Sequence, residues 1–354
     1  MEPFEIFSRL FDEAAVLVDH ERLVVRANGR AIDLLGEHIV AQPLDNFLRH
    51  PEFFDALGQA QSGDMVTDMN YTRHDHIRRD FKIRFAPFFE GHTLILFFDV
   101  TAQRSIERIQ SEFVANVSHE LRSPLTALSG FVETLQTTAA DDRRAREKFL
   151  GIMHSEAQRM QRLIDGLLSL SRVEAEEHRP PRDVVSLLPI IENAVSAFDT
   201  RARDDDRRIE IILDAAIDSQ PLAVLADPDE LSEVFHNLLE NALKYGNSAT
   251  PVQLRLGPGR GIGQQSRNDL VRVEVINFGD TIDEQHISRL TERFYRVDKG
   301  RSRKMGGTGL GLAIVKHIVN RHRGRLRIAS QDGVTSVAVT LPLHDAAEIA
   351  SEQP

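Results

Sequence analysis

Apolar residues recur at steps of three and four along one stretch in the first half of this chain. They are Phe113, Val117, Leu121, Leu125, Leu128, Val132 and Leu135. This period is typical of an amphipathic helix that packs one face against partner helices. At about 100° per residue, His119 projects from the opposite face, and the carboxylate of Glu120 follows it directly. The pattern therefore predicts an imidazole displayed on the wet side of a packed helix, where it can react with an incoming group.

A second apolar stripe follows after the polar run 139–143. Its members are Phe149, Ile152, Met153, Met160, Leu163, Ile164, Leu167, Leu168 and Leu170. Residues 104–178 are therefore predicted to form two long antiparallel helices joined by a hairpin. Two such wide apolar faces cannot be buried within one hairpin, so we expect two copies to form a dimeric four-helix bundle. The sequence Arg-Pro-Pro-Arg at 179–182 predicts a linker.

Residues 1–103 predict a small α/β domain. Short apolar runs predict strands at 15–18, 23–27, 81–88 and 94–100. Asn28 is placed to cap a short helix that ends at Gly36. This succession resembles the PAS sensor fold, and Asp99-Val100-Thr101 resembles the short signature that leads from PAS domains into a helix. The sequence does not name a ligand for this domain. Five scattered histidines leave haem as an alternative, although scattered histidines in a small domain mostly lie at the surface or in the core and bind no cofactor.

Residues 184–343 alternate between helical and strand patterns, which predicts an α/β sandwich. Helices are expected at 187–198, 229–245 and 311–321, and strands at 209–213, 223–226, 252–256 and 271–276, with two more strands closing the domain. The glycine-rich run 257–263 follows a strand but precedes no helix, so we interpret it as a hairpin connection rather than a dinucleotide loop. Residues 344–354 are expected to be a frayed tail.

The predicted helix 229–245 carries one polar stripe among apolar residues. Asn237, Asn241 and Lys244 fall at i, i+4 and i+7 and share a face. Buried amides need partners, and a hydrated magnesium ion with phosphate oxygens would satisfy them. Lys244 can meet phosphate as a point charge. A merely solvated polar face is the alternative that this helix alone leaves open.

Two further segments carry chemistry that fits a nucleotide. Asn277 ends a predicted strand, where an amide can recognise the adenine edge, and Gly279 would allow the base to approach. The second segment runs into the helix at 311–321, and it consists of Gly307, Thr308, Gly309, Leu310 and Gly311. Glycine backbone N–H groups at a helix N-terminus form an anion site for phosphates.

The composition excludes several classes of protein. The formal net charge of −11 argues against direct nucleic-acid binding, which needs a concentrated basic surface. Cysteine is absent, which excludes disulfides, thiolate metal sites and thiol nucleophiles. No apolar run approaches the length of about 20 residues that a membrane helix needs, and Met1 leads into an acidic amphipathic segment rather than a signal peptide. The sequence-based expectation is a cytoplasmic protein.

Four motifs now resemble those of bacterial two-component sensor histidine kinases. Residues 119–125 resemble the H box, 237–245 the N box, 294–298 the F box and 307–311 the second glycine box. Their order and spacing agree across the two domains, and the H box and lid are similar to those of the phosphate-regulon sensor kinases. The resemblance implies a multidomain fold: a PAS domain, a dimeric helical phosphoacceptor domain and an α/β-sandwich ATPase domain.

The resemblance also implies a mechanism. A homodimer would use ATP and Mg²⁺ to phosphorylate its own His119, and then pass the phosphoryl group to an aspartate of a response regulator. Glu120 would orient the ring or take up its proton. Magnesium held through Asn241, together with Lys244 and the glycine loop, would offset charge on the γ-phosphate. Asn237 stands where related ATPases place a water-activating glutamate, which favours transfer over hydrolysis.

The remaining site residues follow from the same resemblance. Residues 280–305 would be the ATP lid, with Phe294 as its apolar anchor and Arg301 and Arg303 near phosphate. Tyr245 closes the N box and joins the nucleotide-binding set.

Two departures from the family pattern bear on activity. The first glycine box begins with Asn277 instead of aspartate and has Thr281 in place of a glycine, so nucleotide affinity could be weaker. Ser123 replaces the more usual threonine or asparagine at the position associated with response-regulator phosphatase activity, although the hydroxyl is kept. The alternatives are a non-kinase ATPase of the same fold, against which Asn237 and the H box argue, and a scaffold whose nucleotide site has decayed, against which the second glycine box argues.

Overall fold

The computed structural model describes residues 4, 12–48, 50–62, 65–74, 78–139, 141–204, 207–216, 222–259, 270–298 and 307–344. The chain divides into two compact units, Met1–Ala115 and Asn116–Pro354. Within the described residues, no helix combines the length and the apolar character needed to cross a bilayer.

The first unit is built on a five-stranded antiparallel sheet with strand order β2-β1-β5-β4-β3. The strands are β1 (Ala14–Val18), β2 (Val24–Ala27), β3 (Thr67–His74), β4 (Arg78–Pro87) and β5 (Thr93–Asp99). Two helices, α1 (Gly29–Leu35) and α2 (Pro51–Ser62), lie between β2 and β3. Phe53, Phe85 and Ile83 are fully buried between α2 and the sheet. The predicted strands and the Asn28 cap, whose side chain accepts from the amide of Ala31, are confirmed.

A long helix, α3 (Thr101–Gln136), begins directly after β5 and continues into the second unit. Asp99 caps its start, since its Oδ1 accepts from the backbone amide of Thr101 at 2.9 Å. The helix α4 (Arg143–Glu176) follows a short connection and is capped by Asp142. Phe131 stacks on Phe149 with ring centroids 5.3 Å apart, a contact in keeping with the predicted antiparallel hairpin.

The rest of the second unit is an α/β sandwich. Its main sheet has the order β11-β12-β10-β9-β7. The strands are β7 (Ile209–Leu213), β9 (Val252–Pro258), β10 (Leu270–Phe278), β11 (Arg325–Gln331) and β12 (Val334–Pro342). The helices are α5 (Leu187–Asp204), α6 (Pro228–Tyr245), the short α7 (Glu284–Ile287) and α8 (Gly311–Arg321). Val271, Val273 and Val275 of β10 are buried, whereas the alternate positions Arg272 and Glu274 are partly exposed, so one face of the sheet carries the core.

Two features of this sandwich are absent from the sequence prediction. A small ladder joins β6 (Val184–Ser186) to β8 (Ala223–Leu225), and β7 pairs with β9 in parallel. The antiparallel pairing of β9 with β10 agrees with a hairpin connection at the glycine-rich run, most of which lies outside the described residues.

Candidate active site

The polar stripe of α6 lines a cavity of about 500 Å³. Asn237, Asn241 and Lys244 all border it, while the other face of α6 is buried in the core. The Nδ2 of Asn237 donates to the carbonyl of Glu233 at 3.0 Å, which leaves its Oδ1 on the cavity side near Gly311. The volume suits a small-molecule ligand, so the stripe borders a concave, partly open site rather than a flat solvated face.

The base of the cavity combines apolar residues with one buried amide. Its apolar members include Val275, Ile282, Leu290, Ile314, Ile328 and Val337. Asn277 is buried beside them and pairs across the sheet with Thr335. The hydroxyl of Thr281 accepts from the amide of Gly333 at 2.8 Å, so this departure from the family pattern ties the strand end to the β11–β12 turn. An apolar slot with a few polar groups at its edge is suited to a planar heterocycle.

Gly279 lies beside the cavity but is not among its lining residues. Its amide donates to the carbonyl of Gly333, and a Cβ at this position would lie 2.7 Å from the carbonyl oxygen of Tyr245. The glycine therefore allows the end of β10 to approach the end of α6, a close contact of backbone with backbone. Tyr245 itself borders the cavity, and its ring lies 5.8 Å from the Nζ of Lys244.

The glycine segment that precedes α8 forms another wall. Gly307, Thr308, Gly309, Leu310 and Gly311 all line the cavity. Gly309 has a φ of +73°, and a Cβ there would lie 2.9 Å from the backbone of Phe294. The amide of Phe294 donates to the carbonyl of Gly309 at 2.8 Å, which holds the lid segment against the glycine segment. Phe294 does not line the cavity, and Arg301 and Arg303 lie outside the described residues.

The helix α3 brings the predicted reactive histidine into the same compact unit. His119 is exposed, and its ring forms no hydrogen bond with any residue that the structure describes. The neighbouring Glu120 is partly buried, and its Oε2 accepts from Nη2 of Arg159 on α4 at 2.6 Å. Nη2 of Arg296 lies 3.6 Å from the same oxygen. Glu120 is thus held by two arginines rather than by the histidine ring.

Sequence reasoning missed these two arginines. Arg159 is 39 residues from Glu120, and its side chain is only 9% exposed. Arg296 belongs to the F-box segment, which was the available signal, but nothing in its spacing predicted a contact with the H box. Arg159 lines a narrow pocket together with Glu120 and Thr308, whereas Arg296 lines the larger cavity.

Further contacts hold α4 against the α/β sandwich. The hydroxyl of Ser169 donates to Glu233 at 2.6 Å, and Arg293 pairs with Glu174. A Cβ on Gly166 would lie 3.3 Å from the side chain of Leu310, so helix and glycine segment pack closely. The nucleotide-sized cavity and the histidine-bearing hairpin are therefore parts of one packed unit.

This arrangement defines a protein with an ATPase-type sandwich docked on a helical hairpin. A model of the His Kinase A (phospho-acceptor) domain matches residues 109–176, and a model of the histidine kinase-, DNA gyrase B- and HSP90-like ATPase matches residues 226–345. The chain belongs to the bacterial two-component sensor histidine kinases.

Similar proteins include the sensor protein kinase WalK of Staphylococcus epidermidis, 32% identical over 93% of this chain and 53% of that protein. WalK of Staphylococcus aureus is 36% identical over 72% of this chain and 59% of its own length. The chain thus spans little more than half of the relatives it matches. Among solved structures, the chain is similar to histidine kinase ThkA in the crystal structure of its complex with response regulator protein TrrA. The match has 20% sequence identity and a TM-score of 0.51, and it covers 97% of this chain and 99% of that one. This likeness shows the fold alone. The finer resemblance to phosphate-regulon kinases stays a prediction.

Proposed function

We propose that this chain is an ATP-dependent protein-histidine kinase that phosphorylates His119 and passes the phosphoryl group to an aspartate of a response regulator. One observation carries the proposal. The polar stripe of α6 and the glycine segment before α8 face a single cavity, and the histidine-bearing helix is packed into the same unit. The similarity to WalK sensor kinases supports this function.

The chemistry follows from the side chains at the site. A ring nitrogen of His119 forms an N–P bond to the γ-phosphorus of ATP, while the bond from that phosphorus to the bridging oxygen breaks and ADP leaves with the electron pair. The ring then loses its N–H proton, which the neighbouring carboxylate of Glu120 can accept. The resulting phosphoimidazole is a reactive donor that suits onward transfer to a carboxylate.

Nucleotide recognition is divided along the cavity. The apolar base and the amide of Asn277 suit the adenine ring, and the amide accepts from an amino group without a full negative charge. At the other end, Lys244 and the backbone amides of Gly309 and Gly311 suit phosphates, since glycines at a helix start present N–H groups to anions.

We also propose that Asn241 is the protein ligand of a magnesium ion that accompanies the nucleotide. Its side chain faces the cavity and forms no hydrogen bond within the described residues. An amide oxygen is a fitting ligand for this hard cation, which retains several waters and shares phosphate oxygens. When bound, magnesium neutralises charge on the phosphates during transfer.

Labelling with γ-³²P-ATP tests the kinase proposal. Incubation of the purified chain should yield label that is stable in base and labile in acid, which is the signature of a phosphohistidine. His119→Gln should abolish it. Label that persists in this variant, or label that survives acid, would contradict the proposed acceptor, and hydrolysis of ATP without any labelling would favour a different ATPase.

Assembly as a homodimer is part of the proposal. Large apolar side chains remain exposed along α3 and α4: Ile106, Ile109, Val114, Leu125, Val132, Leu150, Ile164 and Leu168. We infer that these side chains form an apolar patch of a size that is unusual on a monomer. A second copy of the hairpin would cover it and complete a four-helix bundle, which leaves the exposed His119 outside the seam.

The amino-terminal unit is proposed to be a PAS sensor domain. The strand order β2-β1-β5-β4-β3, with α1 and α2 inserted after β2, supports this assignment. Strand β5 leads into α3 through a capped junction, in which the Oδ1 of Asp99 accepts from the amide and the hydroxyl of Thr101.

Response-regulator dephosphorylation is a further proposed property. Ser123 is exposed one helical turn after His119, so its hydroxyl lies on the same face as the acceptor ring. A hydroxyl there can orient water near a phosphoaspartate. The histidine kinase ThkA was crystallised in complex with a response regulator protein, which supports this class of partner for a chain of the same fold.

A further inference from the structure

Arg296 lies between two sites that the proposed reaction uses separately. It borders the nucleotide cavity next to Tyr295 and Val297. Its Nη2 also lies 3.6 Å from Oε2 of Glu120, the carboxylate adjacent to the acceptor histidine. The Arg296 side chain is only 5% exposed, so this cation acts in a region with little solvent screening.

The two oxygens of the Glu120 carboxylate have different surroundings. Arg159 donates to Oε2 at 2.6 Å, and Arg296 approaches the same atom. No described residue donates a hydrogen bond to Oε1. Arg159 is fixed on α4 and is also paired with Glu156 at 3.5 Å. Arg159 therefore anchors Oε2 from α4, and Arg296 adds a second cation at the same oxygen.

The two arginine contacts differ in strength. A separation of 2.6 Å is a short charge-assisted hydrogen bond, whereas 3.6 Å is longer than a hydrogen bond and corresponds to an ion pair alone. Arg296 also lies in the irregular segment 288–298 rather than on a helix. The ion pair of Arg296 with Glu120 is therefore the weaker of the two contacts and the one that breaks more readily.

We propose that Arg296 is a positioning residue that couples nucleotide binding to the orientation of the Glu120 carboxylate. A nucleotide phosphate in the cavity and the carboxylate of Glu120 are both anions, and they compete for one guanidinium. When phosphate takes Arg296, Glu120 is held by Arg159 alone and its Oε1 is able to turn toward His119. The inference rests on the proposed kinase function and adds a regulatory contact to it.

Competition of this kind is reciprocal, so it can be measured from the nucleotide side. Removing the charge of Glu120 should release Arg296 for phosphate and tighten nucleotide binding. We expect Glu120→Gln to raise the affinity for ADP and for the nonhydrolysable analogue AMPPNP by about fivefold in calorimetry on the full chain. In the Arg296→Gln background the same Glu120→Gln change should alter affinity by less than about twofold.

Two controls separate a specific contact from a general charge effect. Glu156→Gln removes the other carboxylate paired with Arg159 and should leave nucleotide affinity unchanged, because Glu156 has no ion pair with Arg296 among the described residues. Arg296→Lys keeps the positive charge and should restore part of the response to Glu120→Gln. A residue with a structural role alone would not produce this pattern of rescue.

The outcomes discriminate between the two proposals. Tighter binding in Glu120→Gln that vanishes with Arg296→Gln supports the coupling. Equal tightening in both backgrounds, tightening in Glu156→Gln, or no change in Glu120→Gln would overturn it. If the parent chain binds AMPPNP and labels His119, but Glu120→Gln leaves nucleotide affinity unchanged in both backgrounds, only the coupling is refuted. A parent chain that binds no nucleotide would refute the proposed function as well.

Discussion

Replacing Arg321 by methionine removes a cation that ties three helices together. Arg321 lies at the end of α8, with Nη1 2.6 Å from Oε1 of Glu230 on α6. Its Nη2 donates to Glu176 at the end of α4 at 2.8 Å, and its Nε donates to the backbone carbonyls of Glu176 and Arg179. The side chain is 9% exposed and that of Glu230 is 12% exposed.

The expected loss of folding free energy comes from the Glu230 carboxylate, which the substitution leaves buried without its partner. Breaking a buried ion pair by removing one partner costs about 3–5 kcal/mol, because the other charge stays buried without compensation. Methionine can fill much of the space of the arginine stem, and Arg179 is an exposed residue whose backbone water can approach. We therefore expect Arg321→Met to lower the free energy of unfolding of the ATPase sandwich by about 4 kcal/mol.

Hydrogen exchange of the full chain in low urea measures this cost locally, since a multidomain chain has no single unfolding free energy. Amides in α6 and α8 should lose protection together, while those of β4 and β5 in the first unit serve as an internal reference. Arg325→Met, an exposed arginine on β11, is the matched control and should change protection by less than about 0.5 kcal/mol. A loss below about 1 kcal/mol for Arg321→Met would refute the argument from burial.

A second substitution tests the stated cause. Burial raises the pKa of the Glu230 carboxyl, and the ion pair with Arg321 opposes that rise. Without Arg321, the folded state binds a proton at Glu230 more readily than the unfolded state does. Stability of Arg321→Met should therefore fall as pH rises above the ordinary glutamate value, about 4.3, toward neutrality. Adding Glu230→Gln should recover about 2 kcal/mol at pH 7 and little near pH 4.5; equal recovery at both pH values would exclude the buried carboxylate as the cause.

Four further predictions concern the site and the assembly. His119→Gln should leave ATP affinity within about twofold of the parent in calorimetry, since the ring does not line the cavity; a large loss would contradict the separation of acceptor and nucleotide pocket. Asn241→Ala should weaken nucleotide binding in the presence of magnesium much more than in its absence, and equal losses in both conditions would count against its role as ligand. Leu150→Glu should dissociate the dimer in light scattering, because the seam would bury an unpaired carboxylate, whereas a monomer, in which this side chain is 51% exposed, would tolerate it. Burial lowers the pKa of His322, whose neutral ring accepts from the amide of Asp227 at the start of α6, so this support is complete above about pH 6.5 and is lost as pH falls through the lowered pKa; exchange protection factors at that helix start, corrected for the intrinsic exchange rate, should fall on acidification, and a His322→Asn chain should not show this dependence.

Elements with strong local signals could be predicted from the sequence. The bounds of β7 and α8 agree with the predicted 209–213 and 311–321, because alternation marks the strand and a glycine start with helical apolar spacing marks the helix. The short β6 and β8 ladder could not be predicted as a pair, since three residues contain too little pattern. The parallel pairing of β7 with β9 depends on which strands meet in space, and local periodicity does not contain that information.

The candidate site shows the same division between local and distant information. Asn237, Asn241 and Lys244 share a face by helix geometry alone, and that face lines the cavity as the spacing implies. The contact of Arg159 and Arg296 with Glu120 joins three segments that are far apart in sequence, so no spacing rule could reveal it.

The residue types alone predicted which glycines belong to the site, but they did not predict how these glycines pack against their neighbours. A glycine-rich segment is ordinarily interpreted as flexible backbone that presents N–H groups to phosphate. Here Gly309 lies against the backbone of Phe294, and a Cβ on Gly311 would lie 2.6 Å from Oδ1 of Asn237. Gly279 similarly admits the carbonyl of Tyr245. Each glycine therefore lets a different segment approach closely. Gly309 and Gly311 line the cavity and also fix the lid and the α6 stripe, whereas Gly279 fixes the strand end beside the cavity. A substitution that keeps the backbone N–H would still displace the neighbouring segment. Phosphate binding alone needs only a free N–H, so the close approach of that segment is the reason why these positions need glycine.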